Sequence, residues 1–262
     1  MPVTGHLGAT KASDAIEAGI NGLEHALLTP YNDLVPEKLR TTPEETMMTP
    51  GFWGKVNQGW LQADLDSDGA KRWVDLVVEH DVSFSPTLTV LPGADERPGE
   101  RELRYAPRVA ERWLEATQQR QERGPVSPEF QEWARKVRAK LQELVGRVQR
   151  AGGRVVAGTD TGAIRSLVPG FSLHRELALL SGAGLSNMEL LRAATARAAE
   201  ALWRDDLGTI EPGKQADLLL LRRNPLDHIS ALRDDIHRIV QGGRVIDPAA
   251  LLTEAQAGME PA

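Results

Sequence analysis

The chain has 262 residues, 41% apolar and 26% charged, the balance of one soluble globular domain with a small appendage. A formal net charge of −6 supplies neither a basic face for nucleic acid nor a polybasic patch for a membrane, and the lack of cysteine excludes disulfides and thiolate metal sites. Any metal must therefore be held by histidine, carboxylate or water oxygen, and apolar runs such as Leu218 to Leu221 are too short to span a bilayer.

Met1 is followed directly by Pro2 and a strand-like run, with no charged and apolar leader. The expected location is the cytoplasm by default, and it is open if the natural start lies upstream. Short apolar runs then alternate with helical patterns, which predicts βα units around a parallel sheet. The first strand runs from Pro2 to Leu7 and carries Gly5-His6, with a helix from about Ala9 to Ala18 closed by Gly19. The second begins with Gly22-Leu23-Glu24-His25. A helix with Trp73, Leu76 and Val77 on one face leads into a third strand, Val82 to Leu88.

The next helix carries the strongest signals. Ser127 is placed to cap it, Pro128 takes its first position and Gly152-Gly153 end it. Phe130, Trp133, Val137, Leu141, Leu144 and Val148 recur at spacings of three and four, which makes one apolar stripe. The fourth strand, Arg154 to Gly158, runs into Thr159-Asp160-Thr161-Gly162. A helix from Leu173 to Leu180 follows, then a second one opened by the capping-box pair Ser186 and Glu189 and running to about Trp203.

The texture changes near residue 205. Asp217 to Leu221, Ile236 to Val240 and Arg244 to Ile246 read as antiparallel strands, with Gly242-Gly243 as a hairpin turn. The expected division is a barrel-type unit over 1–204 and a β-sandwich segment with tail over 205–262, the residues from Leu251 onward fraying. Two insertions, about 29–69 and 92–123, break the βα rhythm. In a parallel fold such segments lie at the ligand-binding end, so Phe52, Trp53 and Trp60 either cover a site or pack the insertion onto the body, and packing is favoured.

Three strand ends deliver chemistry: His6, His25 and Asp160. Imidazole and carboxylate are the ligands of a catalytic zinc-type ion where thiolate is absent. A strand-end histidine is also an ordinary hydrogen-bonding residue, and Asp-Thr-Gly is also plain turn chemistry. A phosphate-cradling reading of Gly152, Gly153 and Gly158 fails, because no G-x-G-x-x-G leads from a strand into a helix.

An ordered series of motifs goes further. Gly158 to Gly162, Leu173-His174-Arg175-Glu176-Leu177, Ala193-Ala194-Thr195 and Ala198 to Leu202 are followed by Leu207 to Leu218, Asn224-Pro225-Leu226 and Val240 to Gly243. The series resembles the amidohydrolase superfamily, in the branch of imidazolonepropionase-like enzymes and Xaa-Pro or Xaa-Arg dipeptidases. The resemblance implies an α/β fold: the C-terminal half of a metal-dependent (β/α)8 TIM barrel, strands five to eight, followed by a short β-sandwich segment. It implies hydrolysis of C–N bonds in a small-molecule or dipeptide-like substrate by metal-activated water, with one or two divalent ions, zinc foremost. His6 and His25 match the histidine ligands of strands five and six. Asp160 matches the strand-eight aspartate that binds metal and serves as general base. His174 and Thr87 are lesser expectations, as substrate-binding residues.

The family's first-strand His-x-His pair and its fourth-strand bridging lysine or glutamate have no counterpart here. Three arrangements are therefore expected: a truncated reading frame, half of a split enzyme awaiting a complementing N-terminal half, or a homo-oligomer that closes on itself. A half barrel also leaves strand edges unpaired. The alternative function is a non-catalytic or split-enzyme half that needs a partner chain to supply the missing ligands.

Overall fold

The computed structural model describes residues 1–91, 115, 127–162 and 167–257. Four short parallel strands build the central sheet in sequence order: β1 (Thr4–Gly5), β2 (Gly22–Glu24), β3 (Ser83–Ser85) and β4 (Arg154–Val155). Thr4, Gly22, Ser83 and Arg154 stand in one register row, and Gly5, Leu23, Phe84 and Val155 in the next. Leu23, Phe84 and Val155 are fully buried, as the two-residue period of a strand demands of its helix-covered face.

The helices supply the other half of that core. They are α1 (Ala12–Glu17), α4 (Asp68–Glu79) and α5 (Pro128–Arg150), with Ile16, Trp73, Leu141 and Leu144 buried in one cluster with the strand residues. The Trp73 and Phe84 rings meet edge to face at 5.6 Å. In α5 the Ser127 hydroxyl accepts the Phe130 N–H at 3.2 Å, Pro128 sits in the first turn, and the chain leaves through Gly152 at φ 90°. Each fully buried leucine on its stripe contributes roughly 1.5–3 kcal/mol. Among the described residues no helix is long and apolar enough to cross a membrane.

The first insertion folds into this body. It forms α2 (Tyr31–Leu34), a 3-10 turn (Glu37–Leu39) and α3 (Phe52–Gln62). Trp60 is fully buried and its indole N–H donates to the Leu27 carbonyl at 2.7 Å, so this aromatic packs the insertion down. The second insertion, 92–123, lies outside the described residues except for residue 115.

After β4 come α6 (Phe171–Gly182), α7 (Asn187–Ala194) and α8 (Ala196–Ala201). The capping box of Ser186 and Glu189 is formed in both directions. The single helix expected up to Trp203 is broken at Thr195, whose φ of −133° and ψ of −92° are not helical. The break leaves the Ala193 carbonyl free to accept the Ala157 N–H at 3.1 Å, which ties this helix to the end of β4.

The antiparallel sheet consists of β5 (Leu218–Leu221), β6 (Ile236–Gln241) and β7 (Arg244–Ile246), preceded at β6 by the short α9 (Ala231–Asp234). Gly242 and Gly243 turn the β6–β7 hairpin with positive φ at both positions, which glycine alone adopts without cost. Of the tail expected to fray from Leu251, the part up to Ala257 is a helix instead, α10 (Pro248–Ala257), and 258–262 lie outside the described residues. Asp247 explains it: its carboxylate accepts the Ala249 N–H at 2.9 Å, and Pro248 occupies the first position.

The parallel sheet is open. β1 and β4 are its outer strands, and no closed barrel is formed among the described residues.

Candidate active site

His6 lies one residue past β1 and His25 one residue past β2, so parallel neighbours bring them side by side. Their rings meet edge to face with centroids 4.9 Å apart. Asp160 lies five residues past β4, close enough for its charge to act on both imidazoles.

The backbone that presents these groups is strained. His25, Thr87 and Asp160 take φ values of 67°, 47° and 54°, in the left-handed region that L-residues avoid. Thr87 is the least comfortable there, because its side chain branches at Cβ. The strain is held by surrounding bonds. His25 N–H donates to the Ser85 carbonyl and Ala26 N–H to that of Pro86, both at 2.9 Å, which joins the end of β2 to the end of β3. A Cβ at Gly158 would strike the Ser85 hydroxyl, so glycine lets the segment leading to Asp160 approach β3 closely. Beyond it, Thr161 N–H and the Thr161 hydroxyl both bond the Thr159 hydroxyl, which shapes the turn around Asp160.

Thr87 is buried, and its hydroxyl lies 2.8 Å from His25 Nδ1. The sequence analysis expected a substrate-binding role for Thr87; the structure adds this contact with the histidine. His174 is half-buried on α6. Two residues on, Glu176 is fully buried and accepts the N–H groups of Leu88 at 2.9 Å and Thr89 at 2.8 Å. Burial pushes its carboxyl up to about 7, against the pull of those two N–H donors. The sequence analysis gave Glu176 no role. The signal was present, since Leu173, Leu177 and Leu180 place it on the apolar face of its helix.

A second distant support holds the loop that follows His6. Lys11 stands ahead of α1 without a capping bond, and Asp33 of the first insertion accepts the N–H groups of Ala12 at 2.7 Å and Ser13 at 3.2 Å. Asn32 reaches back to the Ala9 carbonyl at 2.7 Å.

A cleft of about 290 Å³ opens beside His6, walled by Leu28, Tyr31, Met47 and Phe52, with Thr10 and Glu45 on its rim. Phe52 thus lines the cleft, while Trp53 is exposed elsewhere on the insertion. A larger groove of about 510 Å³ between the end of α3 and the outer side of α5 includes neither histidine.

Both imidazoles favour their neutral, lone-pair-bearing form. Loss of solvation lowers the pKa of His6, the neighbouring His25 lowers it further, and Asp160 opposes both. For His25, loss of solvation lowers the pKa and Asp160 again opposes. Neutral imidazole beside carboxylate is a donor set that suits a divalent ion. Among the described residues, however, no three His, Asp or Glu side chains converge closely enough to complete a centre. The fit is that of part of a metal site.

Comparison with known proteins gives this arrangement a context. The profile described as "Amidohydrolase family" matches residues 1–246. The fold is similar to that of bottromycin amidohydrolase, with a TM-score of 0.66 at 22% identity over 97% of this chain and 53% of that one. It is also similar to a Xaa-Pro dipeptidase with bound methionine in the active site, at 0.55 and 21% over 94% of this chain and 45% of that one. For molinate hydrolase the values are 0.57 and 18%, over 100% of this chain and 46% of that one. The chain thus spans about half the length of the solved structures it matches. No curated protein matches its sequence.

Proposed function

This chain belongs to the amidohydrolase family, and from that premise we propose that it carries the C-terminal part of the active site of a metal-dependent hydrolase of amide and related C–N bonds. The observation that supports this reading is the meeting of His6 and His25, 4.9 Å apart at the ends of adjacent parallel strands, with Asp160 acting on both.

His6, His25 and Asp160 would hold the ion, zinc in this reading, with further ligands from outside the described residues. The chemistry such an ion would supply there is a water of lowered pKa and a polarised scissile carbonyl. The carboxylate of Asp160 takes the proton of the attacking water and passes it to the leaving nitrogen. The cleft beside His6 is at the small end of ligand pockets and suits a dipeptide-sized or similarly small amide, with apolar groups against Tyr31 and Phe52. Asp160→Asn in the completed enzyme is expected to keep the fold and lower turnover by about 10²–10⁴-fold, the usual contribution of a general base. Near-normal hydrolysis by that variant would defeat the assignment.

A second reading starts from the partial donor set among the described residues. In it, the chain is one half of a divided enzyme, or a non-catalytic partner, and another polypeptide brings a His-x-His pair and a bridging ligand. Elemental analysis with light scattering separates the two. Stoichiometric zinc on this chain alone or on its homo-oligomer, lost in His25→Ala, favours the first reading. Metal retained only with a second chain favours the other.

A further inference from the structure

The first N–H groups of a helical turn lack partners within it, and the residue ahead of the turn commonly supplies a side-chain oxygen. Thr87 stands ahead of the 3-10 turn Leu88–Val90, yet its hydroxyl makes no capping bond. Glu176, far along the chain on α6, does that work instead. Its Oε1 accepts the Leu88 N–H at 2.9 Å and its Oε2 the Thr89 N–H at 2.8 Å, one oxygen for each donor. Relieved of capping, the Thr87 hydroxyl reaches His25 Nδ1 at 2.8 Å.

We infer that Glu176 is a positioning residue for His25: its carboxylate fixes the turn that presents Thr87, and Thr87 fixes the imidazole. Three observations join the chain of contacts. Thr87 holds a left-handed conformation that a β-branched residue does not keep unaided. The same turn touches the other side of the site, where the Thr89 hydroxyl donates to the Thr159 carbonyl at 3.4 Å, next to Asp160. The carboxylate has no access to solvent, so its two oxygens are committed to this turn. With Nδ1 engaged by Thr87, Nε2 is the ring nitrogen directed away from the turn, and the ring's orientation is fixed from behind while the hydroxyl, as donor or acceptor, favours one tautomer over the other. The inference rests on the reading of His25 as a site residue.

The test is made on the ¹⁵N-histidine-labelled chain at pH 8 without metal, by the side-chain nitrogen resonances of His25. Wild type and Thr87→Ser are expected to show one dominant tautomer. Thr87→Val and Glu176→Gln are both expected to lose it, with the exposed His228 unchanged. A glutamate that serves stability alone would lower the melting temperature and leave the His25 pattern intact, and that result overturns the inference. If Glu176→Gln does not fold, the wild-type amides of Leu88 and Thr89 decide. Exchange protection equal to that of β3 supports the clamp, and exchange at the rate of an open loop overturns it. None of these readouts uses hydrolysis. A chain that holds no zinc, alone or with a complementing chain, yet shows the expected His25 pattern defeats the proposed function alone, and a chain that holds zinc through His25 while His25 stays unresponsive to both variants defeats this inference alone.

Discussion

Gly59 and Tyr31 are packed so closely that one added carbon at Gly59 would strike the phenol. A Cβ there would collide with the Tyr31 hydroxyl and lie 2.6 Å from two ring carbons. The hydroxyl cannot step aside, because it donates towards the carbonyls of Leu39 and Lys55, each 2.8 Å away. Gly59 is thus required for space rather than for conformation, since it lies within α3.

Gly59→Ala is therefore expected to destabilise. The overpacking cost of about 1–3 kcal/mol exceeds, over most of that range, the helix-propensity gain of roughly 1 kcal/mol. Gly54→Ala, in the same helix with nothing within 4 Å of the added carbon, is expected to stabilise by about 0.5–1 kcal/mol. Denaturant titration of both variants checks the sign. A shift in the same direction for both would refute the close packing against Tyr31.

Lys140 closes the C-terminal end of α3. Its ammonium donates to the carbonyls of Trp60 at 2.8 Å, Leu61 at 3.3 Å and Ala63 at 2.6 Å, groups that the helix end leaves without partners. Lys140→Met keeps the aliphatic stem and removes the donor, and a loss of about 2 kcal/mol is expected. That corresponds to a melting temperature lower by about 4–8 °C in a domain of this size. An unchanged melting curve would show that water serves those carbonyls equally well.

The parts of the fold that were legible in the sequence are those written locally. The Ser127 and Ser186 caps and the Gly242-Gly243 turn depend on residues a few positions apart, and each appears as expected. The apolar stripe expected from Phe130 to Val148 is buried from Val137 onward, whereas Phe130 is exposed and Trp133 half-buried. What was illegible depends on partners distant in sequence. Thr195 breaks a helix so that Ala193 can bond Ala157, and Asp33 caps a helix from the insertion. At the site, the sequence names the side chains at the strand ends, whereas the link from Glu176 to Thr87 crosses almost ninety residues and leaves no local pattern. The ring of Phe52 on the cleft and that of Trp60 in the core come from one helix, and only the tertiary packing tells them apart.

The histidine pair makes a prediction about pH. Both pKa values are lowered in the folded chain, so between those values and the unfolded value near 6.5 the unfolded chain binds more protons. The pair's contribution to stability is full above about pH 6.5 and declines as pH falls through the folded values. Asp160→Asn removes the charge that opposes the lowering, so both imidazoles are expected to titrate lower still. Replacing His25 by Gln is expected to raise the pKa of His6. Proton NMR titration of the ring C–H signals checks each direction, and an Asp160→Asn variant with unmoved titration curves would place its carboxylate too far away to matter.

Glu176 predicts a pH dependence of the opposite sign. Burial raises its carboxyl to about 7, while the Leu88 and Thr89 N–H donors, the Thr89 hydroxyl and Arg175 pull it down without cancelling the rise. The ordinary value is 4.5, so between 4.5 and 7 the folded chain holds a proton that the unfolded chain has released. Stability linked to this group therefore falls as pH rises through that window and is flat on either side. A shift of that size is worth up to ~3 kcal/mol. Glu176→Gln cannot titrate, so the stability of wild type relative to this variant is expected to decline by that amount from pH 4.5 to 7.5, measured by denaturant unfolding in closely spaced buffers. Parallel curves would mean that the two N–H donors balance the burial completely. The carboxylate would then be ionised throughout, and the clamp on the Thr87 turn would carry its full charge at every pH at which the chain is folded.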